Sequence, residues 1–144
     1  MGLERKVLFM GLENGIDLRI KDKAAFGEIP DWIRYEPWED KYGLDYEIFY
    51  WRKCWNVRGE ILAYLGANRD EFEWNLDIND LVAICEILKP IYTKKGWNEG
   101  CSIWTWDKYI KRAFKGDLKY AKKIIKWLKK KPEGSYQLYF YDSY

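Results

Sequence analysis

The stretch ENGIDLRI, residues 13–20, is the starting point for a fold prediction because its residues alternate between apolar and polar. A period of two is typical of a strand that buries one face. Its Asn14-Gly15 pair favours a tight turn, so we expect a hairpin with the run VLFM (7–10). The stretch SYQLYFYDSY (135–144) alternates in the same way. It is therefore expected to return to this hairpin and complete a small antiparallel sheet.

Helical spacing follows in the middle of the chain. From Tyr46 to Leu65, apolar residues recur at intervals of three, four and seven, which predicts a helix ended by Gly66. The run EFEWNL (71–76) is either a short strand or an extended connection. Residues 22–45, with two Pro, two Gly and no steady period, are predicted to form a long aromatic loop.

The second half of the chain carries further helix signals. Asp77 is a suitable N-cap for a helix through LVAICEILKPIY, with Asp80 in its first turn, and Pro90 should kink or end this helix. Residues 102–131 read as two helical pieces divided at Gly116. The sequence thus predicts one α+β domain over residues 1–144, with the sheet packed against three to four helices. Because MGLE occurs at 1–4 and again at 10–13, residues 1–9 are either part of it or a leader or added segment.

The composition excludes several kinds of chemistry. The chain has no His, which removes the commonest general base, the Ser–His and Cys–His nucleophile systems and most metal sites. Its three Cys are too few for a cysteine-only zinc site and are expected to be reduced thiols. Phosphate-binding glycine loops and EF-hand loops are absent. We therefore expect a protein without metal or cofactor that is not an enzyme, although a carboxylate-only enzyme stays open.

Carboxylates are the chemistry that remains. An acidic, aromatic segment, EPWEDKYGLDYE (36–47), contains the candidate residues Glu36, Glu39 and Asp40. Two close carboxylates there would have separated pKa values, as acid–base pairs do. The simpler interpretation is a solvated acidic collar without a ligand. As a contact surface, the same loop would instead imitate nucleic acid towards a basic nuclease groove.

Charge is divided unevenly along the chain. Residues 1–100 hold 14 Lys+Arg and 19 Asp+Glu, which is −5, whereas residues 101–144 hold 11 and 4, which is +7. At 100° per residue, the lysines of the last helix fall on one side and its apolar residues on the other. These lysines are Lys119, Lys122, Lys123, Lys126, Lys129 and Lys130. They form a solvated face, a site for an anion such as nucleic acid, or a contact for an acidic protein surface.

The stretch FYWRKCWNVRGEIL (49–62) adds candidate binding residues. On a helix its aromatic residues would lie in the core, which leaves Arg52, Asn56 and Arg58 off the apolar stripe. An arginine in such a place is either tied structurally to an aromatic ring and a carboxylate, or part of a ligand site. Arg52, Trp104 and Trp106 are candidates for base stacking near the lysines, and an aromatic content of 19% suits such stacking.

From residue 46 to 144 the chain resembles a group of short phage and prophage proteins of unknown function. The matching features are Tyr50-Trp51-Arg52-Lys53 with Asn56 on a helix, the capped helix LDINDLVAICEIL, the turn SIWTWDKY and the aromatic strand YQLYFYDSY. The resemblance implies a small non-catalytic binder, such as an inhibitor of a host defence system of the anti-CRISPR kind.

The sequence therefore predicts a binding protein of the bacterial cytoplasm. A host protein is the expected partner, and nucleic acid or a nucleotide is the alternative. No run of apolar residues reaches the roughly 20 that a membrane-spanning helix needs, so we expect no membrane partner.

Overall fold

The computed structural model describes residues 13–34, 36–40, 43–52, 54–66, 73–93 and 114–143. For 36–40, 43–44, 52, 55, 92–93 and 114–117 it describes the backbone alone. The elements are β1 (Glu13–Ile20), α1 (Lys23–Phe26), β2 (Glu36–Asp40), β3 (Gly43–Arg52), α2 (Trp55–Leu65), β4 (Glu73–Leu76), α3 (Ile78–Thr93), α4 (Phe114–Lys129) and β5 (Tyr136–Ser143). The predicted α+β class is confirmed.

The strands form one sheet in the order β2-β3-β1-β5-β4, and all neighbours run antiparallel. Strand β1 lies at its centre, where Asp17 is opposite Glu47 of β3 and Tyr139 of β5. The register with β3 shifts between Ile16 and Asp17, so Ile48 is an extra residue that forms a bulge. The expected return of the C-terminal strand to the N-terminal one is confirmed.

The predicted helix from Tyr46 is wrong over its first part. Residues 43–52 form strand β3, and helix α2 begins only at Trp55. The four consecutive residues from Ile48 to Trp51 are at most 1% exposed, which suits a strand covered on both faces. An amphipathic helix would turn part of such a run towards solvent. Tyr50-Trp51-Arg52 therefore ends a strand rather than lying on a helix, while Gly66 does end α2 as expected.

The predicted loop over residues 22–45 is also wrong in part. Asp22 caps the short helix α1 by accepting a hydrogen bond from the Ala25 N–H at 3.2 Å. Residues 36–40 form β2, an edge strand paired with β3, which accommodates Pro37 because an edge strand needs fewer backbone donors. The predicted acidic loop of Glu36, Glu39 and Asp40 is thus an edge strand.

The Asn14-Gly15 pair lies inside β1 and makes no hairpin turn. Gly15 is required there by close packing, because a Cβ at this position would lie 2.9 Å from Glu47 Oε2 and from the Phe49 carbonyl oxygen. The same Cβ would also overlap with the ring of Tyr141. The expected partner of β1, residues 7–10, lies outside the described residues, and β3 and β5 are its neighbours within them.

Helix α3 starts as predicted. The Asp80 N–H donates to Asp77 Oδ1 at 2.8 Å and the Asp77 N–H donates to Asp80 Oδ2 at 3.0 Å, which is a reciprocal cap. The helix continues past Pro90 to Thr93, so Pro90 does not end it. Likewise, α4 runs through Gly116 instead of being divided there. Of the two alternatives for residues 71–76, the structure has the short strand, β4.

The core lies between one face of the sheet and helices α2, α3 and α4. Ile16 and Leu18 of β1 and Phe140 of β5 join buried residues of all three helices in one apolar cluster. Alternation sends Glu13, Gly15, Asp17 and Arg19 to the opposite face of the sheet. Within the described residues, no helix combines the length and the apolar character that crossing a membrane requires.

Candidate functional site

Helix α4 presents a lysine surface because its two sides differ in composition. Tyr120, Ala121, Ile124 and Leu128 are buried in the core. All six lysines predicted for the outer face are exposed: Lys119, Lys122, Lys123, Lys126, Lys129 and Lys130. The amphipathic helix predicted from the lysine spacing is therefore confirmed.

A groove of about 360 Å³ lies between α3 and α4. Helix α3 contributes Val82, Cys85, Glu86 and Lys89, and α4 contributes Leu118, Ala121, Lys122, Ile125, Lys126 and Lys129. On each helix these positions follow intervals of three and four residues, so they lie on one side of the helix. The floor is apolar and the long polar side chains stand at the edges.

The edges of the groove are strongly basic. Four of its lining residues are Lys and one, Glu86, is acidic, a difference of +3. Lysine carries a compact, well-hydrated charge on a flexible stem that itself covers apolar surface. The groove therefore has an apolar floor and ammonium groups along its edges. This arrangement suits a ligand that is apolar in one part and anionic in another.

Cys85 lies in the floor of this groove. It is a free thiol, and burial, followed by the negative charge of Glu86, raises its pKa to about 12. The thiol therefore stays protonated at neutral pH and acts as a small apolar group rather than a nucleophile.

The lysines of this region divide into two groups. Lys123 Nζ lies 4.4 Å from the centre of the Trp32 ring. Lys131 Nζ donates to the Phe26 carbonyl oxygen at 2.7 Å and lies 5.3 Å from the Trp127 ring centre. These two ammonium groups hold the 22–34 segment against α4. The groove lysines point to the other side, towards α3.

The remaining predicted binding residues do not join the groove. Asn56 is exposed at the start of α2, where its Oδ1 accepts a hydrogen bond from the Val57 N–H at 3.1 Å. Arg52 ends β3. The structure describes only the backbone of Arg52, Glu36, Glu39 and Asp40. Trp104 and Trp106 lie outside the described residues.

Arg58 has a structural role, as the first interpretation of the sequence proposed. Its Nε and Nη2 donate to the two carboxylate oxygens of Asp142 at 2.8 and 2.9 Å. Asn14 Nδ2 donates to the same carboxylate at 2.6 Å. The pair joins α2 to the central and C-terminal strands of the sheet.

Sequence reasoning missed an acidic cluster on the sheet face that points away from the helices. Glu13, Asp17 and Glu47 are each at most 4% exposed there. The Tyr141 hydroxyl donates to Glu47, and Arg19 makes two hydrogen bonds of 2.7 Å to Asp45. The alternation in ENGIDLRI was the signal for Glu13 and Asp17, but nothing in the sequence shows that this second face is covered.

In the part of the chain that the structure describes, no group of three or more His, Cys, Asp or Glu is placed to hold a metal ion. The expectation of three reduced thiols is wrong at Cys54, which is disulfide-bonded. No protein-family model, curated protein or solved structure matches this chain.

Proposed function

We propose that this chain is a small non-catalytic binding protein of the phage or prophage type that blocks an acidic surface of a host protein. The observation that supports this most directly is the combination of exposed lysines on α4 with an apolar groove beside them. Charge complementarity would steer the partner to this side, and the apolar floor would retain it.

The apolar floor favours a protein over nucleic acid as the partner. Leu118, Ala121 and Ile125 offer contact area but no stacking ring and no hydrogen-bonding group for a base edge. Protein interfaces bury this kind of apolar centre within a polar rim. The resemblance from residue 46 onward is what suggests the phage-type origin, although Tyr50-Trp51-Arg52 ends strand β3 here and does not lie on a helix. Inhibition of a host defence system is the role that this origin suggests.

Reversing two charges tests the proposal. Lys122→Glu with Lys126→Glu changes the net charge by −4, and Lys21→Glu with Lys23→Glu makes the same change at exposed positions around α1. Tagged versions of both would be used in pull-downs from bacterial lysate at low salt, with protein partners identified by mass spectrometry. We expect the α4 variant to lose at least about tenfold of the captured protein and the control to keep it. Equal capture by both variants would contradict the proposal.

Nucleic acid or a nucleotide is the second candidate, because the six exposed lysines would attract phosphates without reading bases. Nuclease treatment of the lysate separates the two candidates. A stoichiometric host protein that survives the treatment supports the protein partner, whereas capture that disappears with nuclease supports the alternative.

The bacterial cytoplasm is the proposed compartment. The disulfide at Cys54 is the observation that disagrees with it, since such bonds are rare in reducing compartments. Fractionation of producing cells tests this point, and recovery of the protein from the periplasm or the medium would contradict it.

A further inference from the structure

We propose that the groove between α3 and α4 receives an amphipathic α-helix of the partner, with apolar side chains on the floor and carboxylates towards the lysines. This inference rests on the proposed function, since it requires a protein partner. It specifies the conformation and the charge pattern of the segment that is bound.

The size of the groove fits one face of a helix. On α3 the lining residues extend from Val82 to Lys89, and on α4 from Leu118 to Lys129. At a rise of 1.5 Å per residue, these distances are about 10 Å and about 16 Å along the helix axes. A helix of about 11 residues covers the longer distance, and it places its anchor side chains at intervals of three, four and seven residues.

Backbone hydrogen bonding favours a helix over an extended segment. The walls of the groove are helices, in which interior N–H and C=O groups bond within the same helix. The exception is the carbonyl of Glu86, because Pro90 has no N–H to donate to it. An extended peptide in the groove would leave its own backbone groups without partners on the apolar side. A helix satisfies these groups internally and offers only side chains to the floor, so its burial carries a smaller cost.

The charge pattern indicates where the carboxylates of the bound helix lie. Lys122, Lys126 and Lys129 line the α4 edge of the groove, and Lys89 stands on the α3 edge. Carboxylates on the α4 side of the apolar stripe would therefore meet ammonium groups. Glu86, on the α3 edge, repels such carboxylates, so it lowers the affinity for an acidic helix.

Two groups of the groove make the inference measurable. Removing the negative charge of Glu86 should strengthen the binding of an acidic helix, an effect that a general loss of structure would not produce. The Cys85 thiol in the floor reports occupancy, because a bound helix should slow its alkylation. Its pKa of about 12 makes this alkylation slow enough to follow at pH 8.5.

The experiment uses a fluorescein-labelled synthetic peptide with three Leu at positions i, i+4 and i+7 and Glu on either side of this stripe. Fluorescence anisotropy at low salt measures its affinity for the full chain. Two control peptides have the same length: one has every Glu replaced by Gln, and the other has the same composition with the Leu stripe scrambled. The protein variants are Glu86→Gln, the pair Lys122→Gln with Lys126→Gln, and the control pair Lys21→Gln with Lys23→Gln.

We expect Glu86→Gln to bind the acidic peptide about threefold more tightly and the α4 lysine pair to bind it about tenfold more weakly. The control pair should bind as the unmodified chain does. Both control peptides should bind at least about tenfold more weakly than the acidic helix. Alkylation of Cys85, located by peptide mass spectrometry, should slow in proportion to the bound fraction.

The helix-in-groove inference is overturned if the scrambled peptide binds equally well, if Glu86→Gln has no effect, or if peptide binding leaves the alkylation of Cys85 unchanged. Protection of Cys85 by an oligonucleotide but not by the peptide would also overturn it. A failure of this inference is distinguishable from a failure of the proposed function. In the first case, the Lys122→Glu, Lys126→Glu chain still loses its captured protein, and in the second it does not.

Discussion

Two regions of the chain carry dense charge, and they stabilise it in different ways. On the second face of the sheet, Glu13, Asp17 and Glu47 are buried, and partners such as Tyr141 reach them from distant strands. Around the α3–α4 groove, Lys122, Lys126 and Lys129 of α4 are exposed. A buried charge must be matched inside the chain, so it is committed to the fold. An exposed charge beside an apolar floor remains available for a partner.

The largest expected effect comes from the packing of the acidic face. A Cβ at position 15 would lie 2.9 Å from Glu47 Oε2 and would overlap the Tyr141 ring. We therefore expect Gly15→Ala to lower the free energy of unfolding by about 3 kcal/mol, measured by urea denaturation.

Gly59→Ala is the matched control, because no heavy atom lies within 4 Å of the Cβ that it would add in α2. Here the substitution should raise the free energy of unfolding by roughly 0.5–1 kcal/mol, since alanine favours the helix. If both variants change stability in the same direction, the close packing around Gly15 is contradicted.

A second comparison removes one cation from each kind of environment. Arg58→Met leaves the buried carboxylate of Asp142 without its bidentate partner. Because the Arg58 side chain keeps 20% of its exposure, we expect a loss of about 2 kcal/mol, less than for a fully buried pair. Lys119→Met on the exposed side of α4 should change stability by at most about 0.5 kcal/mol. Thermal or urea unfolding measures both, and equal losses would contradict the expected difference between a buried ion pair and an exposed lysine.

A third effect concerns Cys85, the half-buried thiol in the floor of the groove. Burial and Glu86 raise the pKa of Cys85 from 9.0 to about 12 in the folded chain. Its contribution to stability is therefore complete below pH 9 and is lost as pH rises towards 12. The stability difference between the unmodified chain and Cys85→Ser should change by about 1 kcal/mol between pH 8 and pH 10, to the disadvantage of the unmodified chain. Parallel pH profiles in urea unfolding would contradict this.

Local patterns in the sequence predicted the elements that depend on neighbouring residues. The strand at ENGIDLRI, the reciprocal cap of Asp77 and Asp80 and the lysine spacing on α4 all appear in the structure, although β1 buries both of its faces where the alternation predicted one. Each of these signals needs only a few consecutive residues, so the pattern and its cause lie in the same segment.

Prediction was wrong where two structures satisfy the same pattern. Ile48 and Trp51 fit a helical stripe that continues to Trp55, yet Ile48–Trp51 is also an unbroken apolar run typical of a strand covered on both faces. Only the pairing of β3 with β1 and β2 decides between them.

The candidate site, like the fold, was predictable from the sequence only where its features lie within one element. Its lysines could be identified from α4 alone, but the groove itself exists because α3 lies beside α4. The partners of the buried carboxylates are equally remote: Asn14 and Asp142 are 128 residues apart.

The central place of β1 has a consequence for the biosynthesis of the chain. One long side of β1 pairs with β5, and β4 hydrogen-bonds to the sheet through β5. Translation at 5–20 residues per second takes roughly 6–26 s to cover the 128 residues between Asn14 and Asp142. During that interval the nascent chain has a central strand with one unpaired edge and acidic residues without their final cover. Completion of the fold is therefore a late event, and a ribosome that stalls before Tyr136 releases a chain whose exposed strand edge is a target for chaperones and proteases.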